Sequence, residues 1–97
     1  MDAIRFTWDA RKDKANQKKH GISFSEAKTV LNDANARLIY DPDHSLEEER
    51  FIMMGLSISF RLLVVVHCYN EDNNLIRIIS ARKASKKERK QYEEFLK

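Results

Sequence analysis

Arg61 to Tyr69 reads RLLVVVHCY, and LIRIISARK follows at 75–83 after the polar stretch Glu71-Asp72-Asn73-Asn74. Two runs dominated by Val, Ile and Leu, separated by Asp and Asn, predict a β-hairpin. A hairpin this apolar is not stable alone in water. It must form the middle of a sheet, and the remaining segments must supply neighbouring strands and cover for its faces.

IRFTW (4–8) alternates Ile4, Phe6 and Trp8 with Arg5 and Thr7, the period of a strand. Asp9 is suited to an N-cap, and residues 10–20 contain no large apolar side chain, so a helix there lies on the surface, held by its ends. Gly21 is its natural stop, because glycine accepts the left-handed conformation that ends a helix. Ser23-x-x-Glu26 matches a capping box, with Glu26 reaching back to the cap. It opens a second helix, with Phe24, Ala27, Val30 and Leu31 as its apolar stripe, that stops near Asn32–Asp33. Further strands are predicted at 36–40, ended by Asp41-Pro42, and at 50–58, with an acidic loop at 43–48 between them. Ser85-x-x-Glu88 is a second capping box, and Tyr92, Phe95 and Leu96 stripe the last helix. The order is β-α-α-β-β-β-β-α. Short turns between consecutive strands imply an antiparallel sheet. The expected fold is therefore α+β: a small antiparallel sheet with an N-terminal helical pair and a C-terminal helix packed on one face.

The 97 residues suit one domain spanning 1–97, and 42% hydrophobic against 34% charged residues indicate a folded chain. Cys68 is the only cysteine and lies in an apolar run, so it reads as a small core residue in a reducing, cytoplasmic setting. No segment approaches the ~20 apolar residues of a membrane span, and MDAIRFTWDARK lacks the apolar core of a signal peptide. The net charge of +3 is unevenly spread. Residues 9–20 carry +3, 41–49 carry −5 and 82–90 carry +5. Two basic blocks around an acidic one suggest a polyanionic partner, nucleic acid first.

Alternation assigns faces. Leu62, Val64, Val66 and Cys68 share one side of the RLLVVVHCY strand; all are apolar, so this side is expected to meet the helices. The expected open face then bears His67, Tyr69 and Arg77, with Lys83 or Arg82 at its edge. A bulge near Ser80 would exchange those last two. The plainer reading makes Arg77 a solvent-facing cation on a one-sided sheet and His67 a satisfied histidine near a strand end.

Asp41, Asp43, His44 and Glu47 have ligand chemistry but no recognised metal spacing, and Asp41-Pro42-Asp43 suits a turn, so neither metal nor cofactor is expected. There is no Gly-rich phosphate loop and no G-x-S-x-G elbow. RNA cleavage makes smaller demands, because the 2′-OH is the nucleophile. The protein has to orient it, move its proton, protonate the leaving oxygen and stabilise charge on the phosphorane. Arginine suits the last task, and His or Glu suits the proton. Arg82, Arg77, His67 and Glu49 supply these types, as do Lys19 and His20 at the end of the first basic helix.

Four stretches together resemble the BrnT family of type II toxins, ribonucleases with a RelE-like fold. They are F-x-W-D-x-x-K-x-x-x-N-x-x-K-H-G-I-S-F-x-x-A from Phe6, D-x-x-H-S-x-x-E-E-R-F-x-x-x-G-x-S from Asp41, R-L-L-V-V-V from Arg61, and I-R-I-I-S-A-R-K-A-S-x-x-E-R-x-x-Y-E from Ile76. Ala10 stands where the family often has proline, and Phe60 where a turn glycine is common. The resemblance implies a metal-independent endoribonuclease that blocks translation. It also implies a cognate antitoxin, a small DNA-binding protein encoded next door, in a toxin–antitoxin hetero-oligomer. It carries over Arg77 and Arg82 as catalytic residues, with Arg82 as the first candidate for phosphate contact, and Lys19, His20, Arg50 and Lys83 as RNA-binding residues. His67 and Glu49, as acid and base, rest on chemistry alone. The rival expectation is a non-catalytic nucleic-acid-binding or protein-interaction module.

Overall fold

A computed structural model describes residues 3–40 and 50–96. The elements are β1 (Arg5–Thr7), α1 (Ala10–His20), α2 (Phe24–Ala27, continued by a 3-10 turn over Lys28–Asn32), β2 (Arg37–Tyr40), β3 (Arg50–Leu56), β4 (Leu62–Asn70), β5 (Leu75–Lys83) and α3 (Lys86–Phe95). They follow the expected order, and the class is α+β. The acidic loop at 43–48 and Glu49 lie outside the described residues.

The strands form one sheet in the order β1-β5-β4-β3-β2, with the predicted β4–β5 hairpin at its heart. Neighbours from β2 to β5 are antiparallel, whereas β1 runs parallel to β5. The sheet is thus mixed and not wholly antiparallel. No hairpin turn sets the direction of β1, because most of the chain lies between it and its partner.

The end signals of the helices work as their chemistry predicts. Asp9 Oδ1 accepts from the N–H groups of Arg11 (2.8 Å) and Lys12 (3.2 Å). Gly21, at φ 71°, ends α1 and donates to the Gln17 carbonyl. The box at Ser85 is complete in both directions. The box at Ser23 is half built. Ser23 Oγ accepts from the Glu26 N–H at 3.1 Å, but the Glu26 carboxylate does not reach back, because Arg61 and Ser57 take it.

On the first face of the sheet, Ile22, Phe24, Ala27 and Val30 pack on Leu63, Val65, Ile76, Ile78 and Ala81. The 3-10 turn comes so close that a Cβ on Gly55 would lie 2.9 Å from Ala36 Cβ and Val30 Cγ1. Polar groups hold α1 here. The Asn16 side chain, 7% exposed, donates to the carbonyls of Ile22 (2.9 Å) and Ala81 (2.8 Å) and accepts from the Ala81 N–H (3.1 Å). It bonds Ala81 as a residue of a neighbouring strand would, at a position β1 does not reach. Asp13 Oδ1 adds a bond from the Phe24 N–H at 2.9 Å. So α1 is held at its middle as well as its ends.

The expectation that all helices share one face is corrected. Tyr92 of α3 packs on Met54, Leu62 and Val64, the residues that alternate with Leu63 and Val65. Strand β4 is apolar on both sides through its first half and so requires cover on both. Tyr92 also donates its hydroxyl to Asp33 Oδ2 at 2.5 Å, and Arg37 stacks on Phe95 at 4.4 Å from the ring centroid. Burial, and then this bond to Asp33, push the Tyr92 phenol up to about 12.

Candidate nucleic-acid interface

Arg77 and Arg82 are five positions apart on β5, so strict alternation would put them on opposite faces. The register prevents this. Val66 pairs with Ser80 and His67 pairs with Ile78, leaving Ile79 as an extra residue in a bulge. Beyond the bulge the phase is shifted by one, and both arginines lie on the second face, the face on which Tyr92 of α3 packs against Met54, Leu62 and Val64. Of Arg82 and Lys83, it is Arg82 that lies on this face.

The rest of the row follows from the pairing. Thr7 pairs with Arg77, Arg77 with Cys68, and Cys68 with Arg50, which places all four side by side across β1, β5, β4 and β3. Neighbouring strands lie about 4.8 Å apart, so the backbones at Arg50 and Arg77 are about 10 Å apart. Arg82 is opposite Val64, four β4 residues from Cys68, or about 13 Å along the sheet. Arg77 Nη2 approaches Cys68 Sγ at 3.8 Å. A shallow depression of about 450 Å³ adjoins the row at the hairpin end, lined by Cys68, Asn70, Asp72, Leu75 and Arg77 among others.

Arg82 is the only one of these arginines at the foot of a helix. Its Nη1 and Nη2 donate to the two carboxylate oxygens of Glu88 at 2.8 and 3.0 Å. The guanidinium, helped by the Ser85 N–H, holds the Glu88 carboxyl down at about 2. In return the carboxylate raises the pKa of Arg82. Sequence reasoning assigned Glu88 wholly to the helix cap and missed this bond, although a carboxylate six positions after an arginine was there to be read.

The other predicted residues do not join this row. Lys83 pairs with Leu63 on the first face, and its charge helps to lower the Glu26 carboxyl, after the larger effect of the Arg61 hydrogen bonds. Arg61 also donates to the carbonyl of Gly21, the residue after His20. Lys83, Lys19 and His20 therefore belong to the α1 side, with Lys19 exposed and His20 partly so.

His67 is corrected more strongly. It pairs with Ile78 on the first face, is 3% exposed, and stacks on Phe51 with centroids 5.9 Å apart. Tyr69 belongs to that face too, opposite Ile76. Burial holds the His67 pKa below its ordinary value, with the Val65 backbone only partly offsetting it. Among the described residues its Nδ1 has no hydrogen-bond partner, so the ring is not fully satisfied either. The face assignment was reversed because Leu62 to Val66 is apolar at every position and parity alone cannot say which side meets the helical pair.

Among the described residues no three His, Cys, Asp or Glu side chains cluster as a metal site would, and no helix is long and apolar enough to cross a membrane. Asp41, Asp43, His44, Glu47 and Glu49 lie outside the described residues.

Comparison with known proteins supplies a family. The family model of BrnT, the ribonuclease toxin of type II toxin–antitoxin systems, matches residues 8–88. Among solved structures, the ribonuclease toxin BrnT of Brucella abortus superposes with a TM-score of 0.67 at 21% identity, over 87% of this chain and 100% of that one. At that identity the likeness is one of fold. No curated protein matches.

Proposed function

Because this chain belongs to the BrnT family, the ribonuclease toxins of type II toxin–antitoxin systems, we propose that it cleaves RNA on the arginine face of its sheet, with Arg82 and Arg77 holding the phosphate. The observation that carries this reading is the bulge at Ile79, which brings the two arginines to the face that also carries Arg50. Strand backbones restrict where each cation can reach, as a phosphate site requires.

In this reading the RNA 2′-OH attacks the adjacent phosphorus and loses its proton, and the guanidinium groups stabilise the phosphorane. The bond from phosphorus to the 5′-oxygen then breaks as that oxygen takes a proton, leaving a 2′,3′-cyclic phosphate and a 5′-hydroxyl. No metal takes part. Arg50 binds the neighbouring backbone, and the depression beside Arg77 takes a base. Lys19, His20 and Lys83 guide the strand from the α1 side. With His67 buried on the other face, Glu49 is the remaining candidate of the original pair for moving the proton. A type II toxin has an antitoxin partner; the finer proposal is a small DNA-binding protein from an adjacent gene, bound in a cytoplasmic hetero-oligomer.

The test is incubation of the purified protein with total RNA, with and without EDTA, followed by mapping of the new ends. Fragments with 2′,3′-cyclic phosphate ends that persist in EDTA are expected. Salt-dependent RNA binding with no cut product would replace this reading with the non-catalytic binding module.

A further inference from the structure

An arginine has five N–H donors and can offer a carboxylate or phosphate two different forks, one from Nη1 with Nη2 and one from Nε with Nη2. In Arg82 the first fork is taken: Nη1 donates to Glu88 Oε1 at 2.8 Å and Nη2 to Glu88 Oε2 at 3.0 Å, while Nη1 also reaches the Lys83 carbonyl at 3.3 Å. None of these bonds uses Nε. Glu88 is itself fixed. Its Oε1 accepts from the Ser85 N–H at 2.8 Å, and its own N–H donates to Ser85 Oγ at 3.1 Å. The carboxylate is thus anchored in the first turn of α3, and the arginine side chain is still 46% exposed.

We propose that Glu88 is a positioning residue for RNA cleavage: anchored by the α3 cap, it grips Arg82 end-on and presents the Nε/Nη2 fork to a phosphate. The inference rests on the reading that Arg82 contacts phosphate. A carboxylate gripping the side fork would block that contact, whereas one gripping the end leaves it available. The pair also restrains the side chain of an arginine near the end of a strand, where almost half of it is exposed.

The experiment compares the wild type with Glu88→Gln, Arg82→Ala and the double variant, cutting a labelled single-stranded RNA of mixed sequence. Glutamine serves in a capping box, so Glu88→Gln keeps the helix start and removes the charged grip. Glu88→Gln is expected to lower kcat about tenfold with KM little changed, as a misplaced group does. The loss should vanish in the Arg82→Ala background. The Arg82 Nε–H resonance should shift when a DNA strand of the same sequence is added to the wild type, and shift less in Glu88→Gln. Wild-type or faster cleavage by Glu88→Gln would overturn the inference, as would the same tenfold loss with Arg82 absent. Full cleavage by Arg82→Ala alone would instead remove the phosphate assignment, and the role of Glu88 with it.

Discussion

Two arginines, Arg61 and Arg82, each hold a glutamate by two bonds, and they hold it from different edges. Arg61 uses Nε and Nη2 on Glu26, and Nη2 continues to the Gly21 carbonyl, while Ser57 adds its hydroxyl to the same carboxylate at 2.7 Å. That pair joins the β3–β4 turn to the start of α2 and the end of α1, and it uses the fork a phosphate would need. Arg82 is joined to Glu88 six positions away, on the other face, and keeps that fork. In a count of charges the pairs are the same. Which edge of the guanidinium is committed separates a scaffold tie from a group that can still bind an anion.

The largest expected effect is on the Arg82 side. Arg82→Ala should lower single-turnover RNA cleavage by about 10²–10³-fold, the usual loss when one group stabilising the transition state is removed, with a melting temperature within a few degrees of the wild type. Wild-type cleavage by a folded variant would end the distinction.

Arg61→Ala should do the reverse. It takes the guanidinium from the Glu26 carboxylate, whose side chain is only 13% exposed, leaves it the Ser57 hydroxyl, and should cost about 2 kcal/mol in a denaturant titration. Cleavage by the folded fraction should be unchanged. A large drop in kcat would show that the tie is more than scaffold.

Phe60 lies in the turn that Arg61 secures, at φ 61° and 85% exposed. The left-handed conformation is strained for a residue with a side chain, which accounts for the turn glycine expected there. Phe60→Gly should therefore raise stability by about 1 kcal/mol, read as an increase in melting temperature without change in cleavage.

The smallest effect concerns His67. Its folded pKa lies below its ordinary value, so the unfolded chain takes up a proton first as the pH falls. Its burial as a neutral ring thus favours folding fully above about pH 6.5, and that contribution declines toward acid. His67→Leu should change stability by less than about 1 kcal/mol at pH 8 and flatten the decline below pH 6.5 in melts across pH. An unchanged acid slope would show that another group sets it.

What could be read from the sequence was local. Asp9, Gly21 and Ser85 were legible because a cap depends on residues within a turn of itself. The hairpin was legible because β-branched runs and polar turns are contiguous. Faces were not. RLLVVV reads the same from either side, and IRIISARK fits a regular strand as well as one with Ile79 bulged out; only the partner strand decides. The same distance defeated the side chains. Glu26 looked like half of a capping box because its true partner, Arg61, comes 35 residues later. Glu88 fills its local role in the cap completely, and nothing within a turn of it signals the second bond to Arg82.

Asn16 has a consequence for solubility. Strand β5 continues past the end of β1, and its outer N–H and C=O groups there would offer another chain a template to pair with, next to a hydrophobic hairpin. One amide from α1 fills that place, giving and taking a bond at Ala81. The helix that carries almost no apolar surface thereby occupies one position of that edge and leaves it less open to pairing.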